Sequence, residues 1–281
     1  MDKVEIFEVG PRDGLQNQAG FIATADKIKL VQLLVVAGFA RIEVASFVSP
    51  KWVPQMADGA DVLAGIGNVA AEMWALTPNA RGLSAAISAS VEGVAVFGSA
   101  SEGFSRANIN ATVDESLKRF APLVSEAKET GLKVRGYISC VTDCPYDGAT
   151  PPARVARVAK ALLAMGCDEI SLGETLGRAT PEAVDAMLRA VLNEVPAAQL
   201  AGHFHDTAGV ALGNIDVSLK HGLRIFDASI AGLGGCPYAP GAAGNVATEA
   251  VHAHLTALGY DTNLDATALD KAATFAKGLR A

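Results

Sequence analysis

A chain of 281 residues that is 50% hydrophobic and only 19% charged, with 28 glycines and 6% aromatics, reads as a compact globule with many tight turns, not as a disordered segment. Its formal net charge of −7, without any run of clustered Lys or Arg, excludes broad phosphate tracking along nucleic acid, so an anionic ligand needs locally placed cations. No apolar run reaches the roughly 18 residues of a membrane helix, the N-terminus "MDKVEIFEVG" enters a strand-like run without a basic leader, and the four cysteines contain no Cys-x-x-Cys pair. The expectation is a cytoplasmic protein with reduced thiols and no membrane or nucleic-acid partner.

In chain order, strand-like runs over 4–9, 41–47, 72–77, 93–98, 133–139, 168–173, 199–205 and 224–231 alternate with helical patterns. The helical stretches lie near 24–37, 55–66, 81–92, 113–130, 152–165, 181–194, 209–221 and 245–258. Thr112 with Glu115 forms a capping-box pattern, and Pro152 and Pro181 suit first-turn positions. Gly38, Gly131, Gly166 and Gly222 stand where helices should stop. Eight β–α units without a linker or composition break predict one α/β domain over residues 1–281, a (β/α)8 TIM barrel. Residues 265–280 are expected to form an additional C-terminal helix that covers the barrel rim or pairs with a second subunit in a homodimer.

Such barrels gather their reactive groups at the C-terminal ends of the strands. There the first strand offers Arg12 and Asp13, the second Glu43, the fifth Arg135 and Tyr137, the sixth Glu174 and Thr175, and the seventh His203 and His205. The Gly-rich loop "GLGGCPYAPGAAGN" after the eighth adds Cys236 and Asn245. Residues i and i+2 of a strand share a face, so His203 and His205 can point together into the barrel mouth. With Asp13 and the amide oxygen of Asn245 they make a mixed nitrogen and oxygen set. That set suits a six-coordinate divalent ion such as Mg²⁺ or Mn²⁺, while ligand type alone also allows Zn²⁺ or Fe²⁺. His252 and His254 have the same spacing on a helix, where i and i+2 diverge, and read as surface residues. The glycines around Cys236 serve either tight turns or a lid that carries its thiol over a substrate. In "KWVPQMAD", Trp52 and Met56 read as core candidates and Lys51 as a solvated charge or a phosphate contact.

The stretches "VGPRDGLQNQ", "IEVASFVSPKWVPQMAD", "VRGYISC", "HFHDTAGVAL" and "AGLGGCPYAPGAAGN", in this order, resemble the hydroxymethylglutaryl-CoA lyases, metal-dependent barrel lyases with a DRE-type first-strand motif. The resemblance implies an acyl-CoA thioester substrate and cleavage of 3-hydroxy-3-methylglutaryl-CoA to acetyl-CoA and acetoacetate, as in leucine breakdown. It also implies a divalent metal, Mg²⁺ or Mn²⁺, on Asp13, His203, His205 and Asn245. Arg12 would stabilise charge on the thioester oxygen, Cys236 would handle a proton, and Glu43, Tyr137 and Thr175 would support or line the substrate site. Asp13 and His203 are both candidates for the base. Where the family commonly has "SLGDT" this chain reads "SLGETLG", which places the longer Glu174 beside the expected site. Phe204, between the histidines, should point away from the metal. A lyase for another branched 3-hydroxyacyl-CoA, of citramalyl-CoA or isohexenylglutaryl-CoA type, is the alternative; a condensing acyltransferase or a non-enzymatic metal scaffold fits the residues less well.

Overall fold

In the computed structural model, which describes residues 2–234 and 244–280, eight parallel strands close into a barrel. They are β1 (Glu5–Glu8), β2 (Arg41–Ser46), β3 (Glu72–Leu76), β4 (Gly93–Ser99), β5 (Lys133–Ser139), β6 (Glu169–Glu174), β7 (Leu200–Phe204) and β8 (Ile225–Ala228). Each pairs with its sequence neighbour, and β8 closes on β1 with Phe7 opposite Asp227. Helices α1 (Thr24–Ala37), α2 (Gly59–Ile66), α3 (Ala80–Ser88), α4 (Glu102–Ile109) and α5 (Val113–Glu129) follow the first four strands. Helices α6 (Pro152–Ala164), α7 (Pro181–Val191), α8 (Ala211–Lys220), α9 (Thr248–Ala257) and α10 (Ala266–Lys277) complete the described set.

The local signals form as expected. The Thr112 hydroxyl accepts from the Glu115 amide at 3.1 Å and Glu115 accepts from the Thr112 amide at 2.8 Å, while Pro152 and Pro181 sit at helix starts. Gly38, Gly131, Gly166 and Gly222 all take positive φ just past a helix. Three things differ. Residues 54–56 form a separate 3₁₀ turn before α2, helix α4 was not anticipated, and a two-residue antiparallel pairing (Asp143–Cys144 with Gly148–Ala149) sits in the β5–α6 connection. Those segments are short. Trp52 is 79% exposed, contrary to the core expectation, whereas Met56 is buried. The extra helix α10 turns Leu269, Ala272, Ala273 and Ala276 inward and packs against α1 of its own chain. No helix among the described residues is long and apolar enough to cross a membrane.

Two different cores result from the period-2 alternation of the strands. Outward side chains such as Ile42, Val134, Ile170 and Phe226 join the helices in one aliphatic cluster. The barrel interior is instead aromatic and ionic in its lower half. Phe7 and Trp74 meet edge to face at 5.7 Å, and the Arg135 guanidinium lies 4.0 Å from the Phe7 ring. Arg41 bridges Glu5 (2.6 Å) and Glu169 (3.0 Å), and Arg135 bridges Glu169 (2.7 Å) and Asp227 (2.5 Å).

Glu8, fully buried at the top of β1, links three segments. Its carboxyl takes the amides of Gly10 (2.7 Å) and Ile230 (2.8 Å) and meets the Thr248 hydroxyl at 2.6 Å. Burial pushes its pKa up to about 8, against the lowering by those three hydrogen bonds. A carboxyl raised in the folded state contributes stability that is complete below its unfolded value near 4.5 and is lost as pH rises through 8. Glu8→Gln keeps an acceptor for the amides and, with the Thr248 hydroxyl turned to accept from the new amide, a partner for Thr248. It is therefore expected to flatten the fall in thermal stability between pH 5 and 9; a thermal melt series that leaves the wild-type slope unchanged in the variant would exclude Glu8 as its source.

Candidate active site and metal centre

Immediately after β1, residues Gly10–Gly14 wind into a single π-type helical turn, with the amides of Asp13 and Gly14 both reaching the Val9 carbonyl at 2.7 and 3.2 Å. This turn aims Arg12 and Asp13 over the barrel mouth. It requires glycine at its end: a Cβ on Gly14 would lie 2.7 Å from Ser229 Oγ and 2.8 Å from Leu233 Cβ.

Arg12 is 6% exposed and donates Nε to Glu43 Oε2 at 2.6 Å and Nη1 to Asp13 Oδ1 at 2.6 Å. Its guanidinium also faces the Tyr137 ring, 5.6 Å from the centroid. Burial disfavours the charge, yet Glu43 and Asp13 hold Arg12 above its ordinary value, so it is a fixed cation. Glu43 is fully buried and its pKa is raised by burial against the pull of Arg12.

Asp13, His203 and His205 each offer a ligand atom within 4.8 Å of the others. Burial raises the Asp13 pKa, but Arg12, His203, the Asn245 hydrogen bond and His205 bring it down to about 2. Burial and His203 push His205 down to about 4, so at neutral pH the imidazole is uncharged beside an ionised carboxylate. Asn245 donates Nδ2 to Asp13 Oδ2 at 2.7 Å and is set there by backbone pairing of 244–246 with 204–206. Among the described residues, His205 Nδ1 is buried without a hydrogen-bond partner. A buried imidazole nitrogen left bare next to a carboxylate and a second imidazole is the donor set a divalent cation takes.

Six of the expected residues therefore converge with Asp13: Arg12, Glu43, Tyr137, His203, His205 and Asn245. Phe204 points the other way, since a Cβ on Gly202, on the face opposite His203, would meet its ring at 2.6 Å. The Thr175 hydroxyl accepts from the Cys140 amide at 2.9 Å and so braces the β5 end. Cys236 lies outside the described residues. Arg135, expected at the mouth, is fully buried in the layer below it. Glu174, expected beside the site, is fully buried: its carboxyl faces the Thr142 hydroxyl at 3.5 Å, and burial raises its pKa against the lowering by the nearby amides of Ala179, Gly177 and Leu176.

One functional group escaped the sequence reading. Asp227, fully buried on β8, accepts from Arg135 at 2.5 Å and from Ser171 Oγ at 2.9 Å, and lies 3.0 Å from His203 Nδ1. That contact spends Nδ1 and turns Nε2 toward Asp13. An acid at an inward position of the strand "RIFDASIA" was the available signal. Asp227→Asn is expected to weaken divalent-ion affinity about 10–100-fold, the usual effect of losing a histidine's orienting partner; isothermal titration with Mn²⁺ checks it, and an unchanged affinity would remove Asp227 from that role.

A closed (β/α)8 barrel with two strand histidines, a carboxylate and a buried arginine at the C-terminal strand ends defines an enzyme with a metal-capable centre. The family model HMGL-like matches residues 3–275. The mitochondrial hydroxymethylglutaryl-CoA lyase of Arabidopsis thaliana is 54% identical over 97% of this chain, which spans 58% of that protein's length. The 3-hydroxy-3-isohexenylglutaryl-CoA/hydroxy-methylglutaryl-CoA lyase of Pseudomonas aeruginosa is 54% identical over 95% of this chain and 89% of its own. The crystal structure of the HMG-CoA lyase from Brucella melitensis superposes with a TM-score of 0.98 at 54% identity, covering 100% of this chain and 99% of that one. The chain belongs to the HMGL-like family and is a lyase of the hydroxymethylglutaryl-CoA lyase group.

Proposed function

We propose that this chain cleaves 3-hydroxy-3-methylglutaryl-CoA to acetyl-CoA and acetoacetate. The observation that carries the reading is the direct ion pair between Arg12 and Asp13, which puts a fixed cation beside the metal-capable triad. Asp13, His203, His205 and Asn245 would hold Mg²⁺ or Mn²⁺, and such an ion, when bound, lowers the pKa of a hydroxyl it chelates.

The reaction breaks the C2–C3 bond of the substrate. Asp13 or His203 takes the proton of the tertiary C3 hydroxyl, C3 becomes the ketone carbon of acetoacetate, and the bonding pair moves to the thioester as an enolate. Arg12 faces the enolate oxygen with charge already in place, so little reorganisation is needed as charge develops. Tyr137 and Glu43 wall and orient the guanidinium, and the Cys236 thiol supplies the proton that C2 of the enolate requires. Thr175 acts by holding the β5 end. A single catalytic domain in the cytoplasm belongs to the same proposal, supported by buried free thiols at Cys140, Cys144 and Cys167.

A second substrate is favoured by one finding: the Pseudomonas aeruginosa relative carries 3-hydroxy-3-isohexenylglutaryl-CoA in its name as well. Purified enzyme incubated with a panel of both thioesters and citramalyl-CoA, under Mg²⁺, Mn²⁺ and chelator, tests the assignment. Turnover of hydroxymethylglutaryl-CoA that chelator abolishes is expected; hydroxymethylglutaryl-CoA left uncleaved while another thioester is consumed would overturn the primary substrate.

A further inference from the structure

Past β8 the chain makes a tight turn over Ile230–Leu233 in which Ala231 sits at φ 57°, ψ 14°. A residue with a Cβ holds that left-handed conformation only where its surroundings impose it. Three side chains from three elements do so. Glu8 on β1 accepts the Ile230 amide at 2.8 Å, and Glu249 in the first turn of α9 accepts the Ala231 amide at 2.9 Å. Arg280, just beyond α10, donates Nη2 to the carbonyls of Ala231 and Gly232, the latter at 3.1 Å.

The turn leads directly to the centre. The Leu233 carbonyl accepts from Asn245 Nδ2 at 3.4 Å, and the same nitrogen holds Asp13. Leu233 Cβ and Ser229 Oγ back onto Gly14, one residue from Asp13. Arg280 lies outside the eight β–α units, is carried by a helix whose inner face is packed, and has no part in the chemistry above.

We propose that Arg280 is a positioning residue: by tying the Ala231 and Gly232 carbonyls it fixes the turn that seats Asn245 and Asp13 for the divalent ion. This rests on the metal reading given above. Arg280 touches neither substrate nor ion, and acts through two carbonyls, one turn and one amide.

The test compares wild type, Arg280→Gln, Arg280→Lys and Arg280→Met, which keeps the aliphatic stem. Mn²⁺ affinity is measured by titration, kcat and KM at saturating Mn²⁺, and unfolding of the metal-free proteins by circular dichroism. Arg280→Gln and Arg280→Met are expected to bind Mn²⁺ about tenfold more weakly, the lower end of what loss of an indirect support costs a metal site. KM for the thioester at saturating Mn²⁺ stays within about twofold, and Arg280→Lys recovers part of the affinity because an ammonium still reaches one carbonyl. Wild-type Mn²⁺ affinity in Arg280→Gln or Arg280→Met, whatever the melting temperature, overturns the inference. Wild-type protein that takes up no Mn²⁺ overturns the metal reading itself, and this inference with it.

Discussion

His205→Ala is expected to lose divalent-ion binding and turnover together while the barrel still folds. The imidazole is 8% exposed, is held near pKa 4 by burial and His203, and its Nδ1 has no hydrogen-bond partner among the described residues. Metal-free wild type must therefore charge a buried ring in acid. A base with a depressed folded pKa contributes stability above its unfolded value near 6.5 that is lost as pH falls through 4. The alanine variant lacks that part of the acid sensitivity. Its ion affinity should drop by more than the roughly 10–100-fold that loss of an orienting partner costs, because a proposed ligand itself is gone. Titration with Mn²⁺ and the thioester assay measure the two effects; equal ion affinity in wild type and variant would take His205 out of the coordination shell.

The second large effect concerns Arg12, whose removal should separate catalysis from stability. Arg12→Gln withdraws the cation proposed to meet the enolate, for which a kcat loss of about 10²–10³-fold is the scale set by deleting one preorganised electrostatic contact. It also strands Glu43, fully buried and already raised by burial. Breaking a buried pair in this way costs about 3–5 kcal/mol. The stranded carboxyl takes up a proton, so its folded pKa rises further. Stability is then complete below its ordinary value and lost as pH rises, and the variant should melt lower at pH 8 than at pH 5. Arg12→Gln with Glu43→Gln should regain melting temperature without regaining kcat. Recovery of both by the double variant would mean that Arg12 serves the fold and not the reaction.

Much of this was legible in the chain because its signals are local. Strand positions, the capping box at Thr112 and the helix-ending glycines each depend on a few neighbouring residues, and the ends of β2, β5 and β7 were placed to within a residue. The convergence of Arg12, Asp13, His203, His205 and Asn245 followed from one rule about barrels and one about strand alternation. What failed was orientation at depth. Arg135 and Tyr137 share a face of β5, but only the structure tells which of them stands at the mouth and which lies beneath it. For Glu174 too, position at a strand end is a backbone property, whereas the full burial of its side chain depends on how the chain continues past β6 and is far less visible in sequence. Asp227 went unnoticed because its partners come from β5, β6 and β7.

The ionic layer below the site has a consequence for how the barrel closes. Glu5, Arg41, Glu169, Arg135 and Asp227 alternate in sign and come from β1, β2, β6, β5 and β8. Aliphatic side chains accept one another in many registers, but this series does not. Sliding β5 by two residues against β6 would keep its inward face inward and yet draw Arg135 away from both of its acids. A misregistered barrel would thus carry an unpaired buried charge, which makes the series a checksum on strand alignment: the closure that satisfies it is also the one that brings His203 to Asp13.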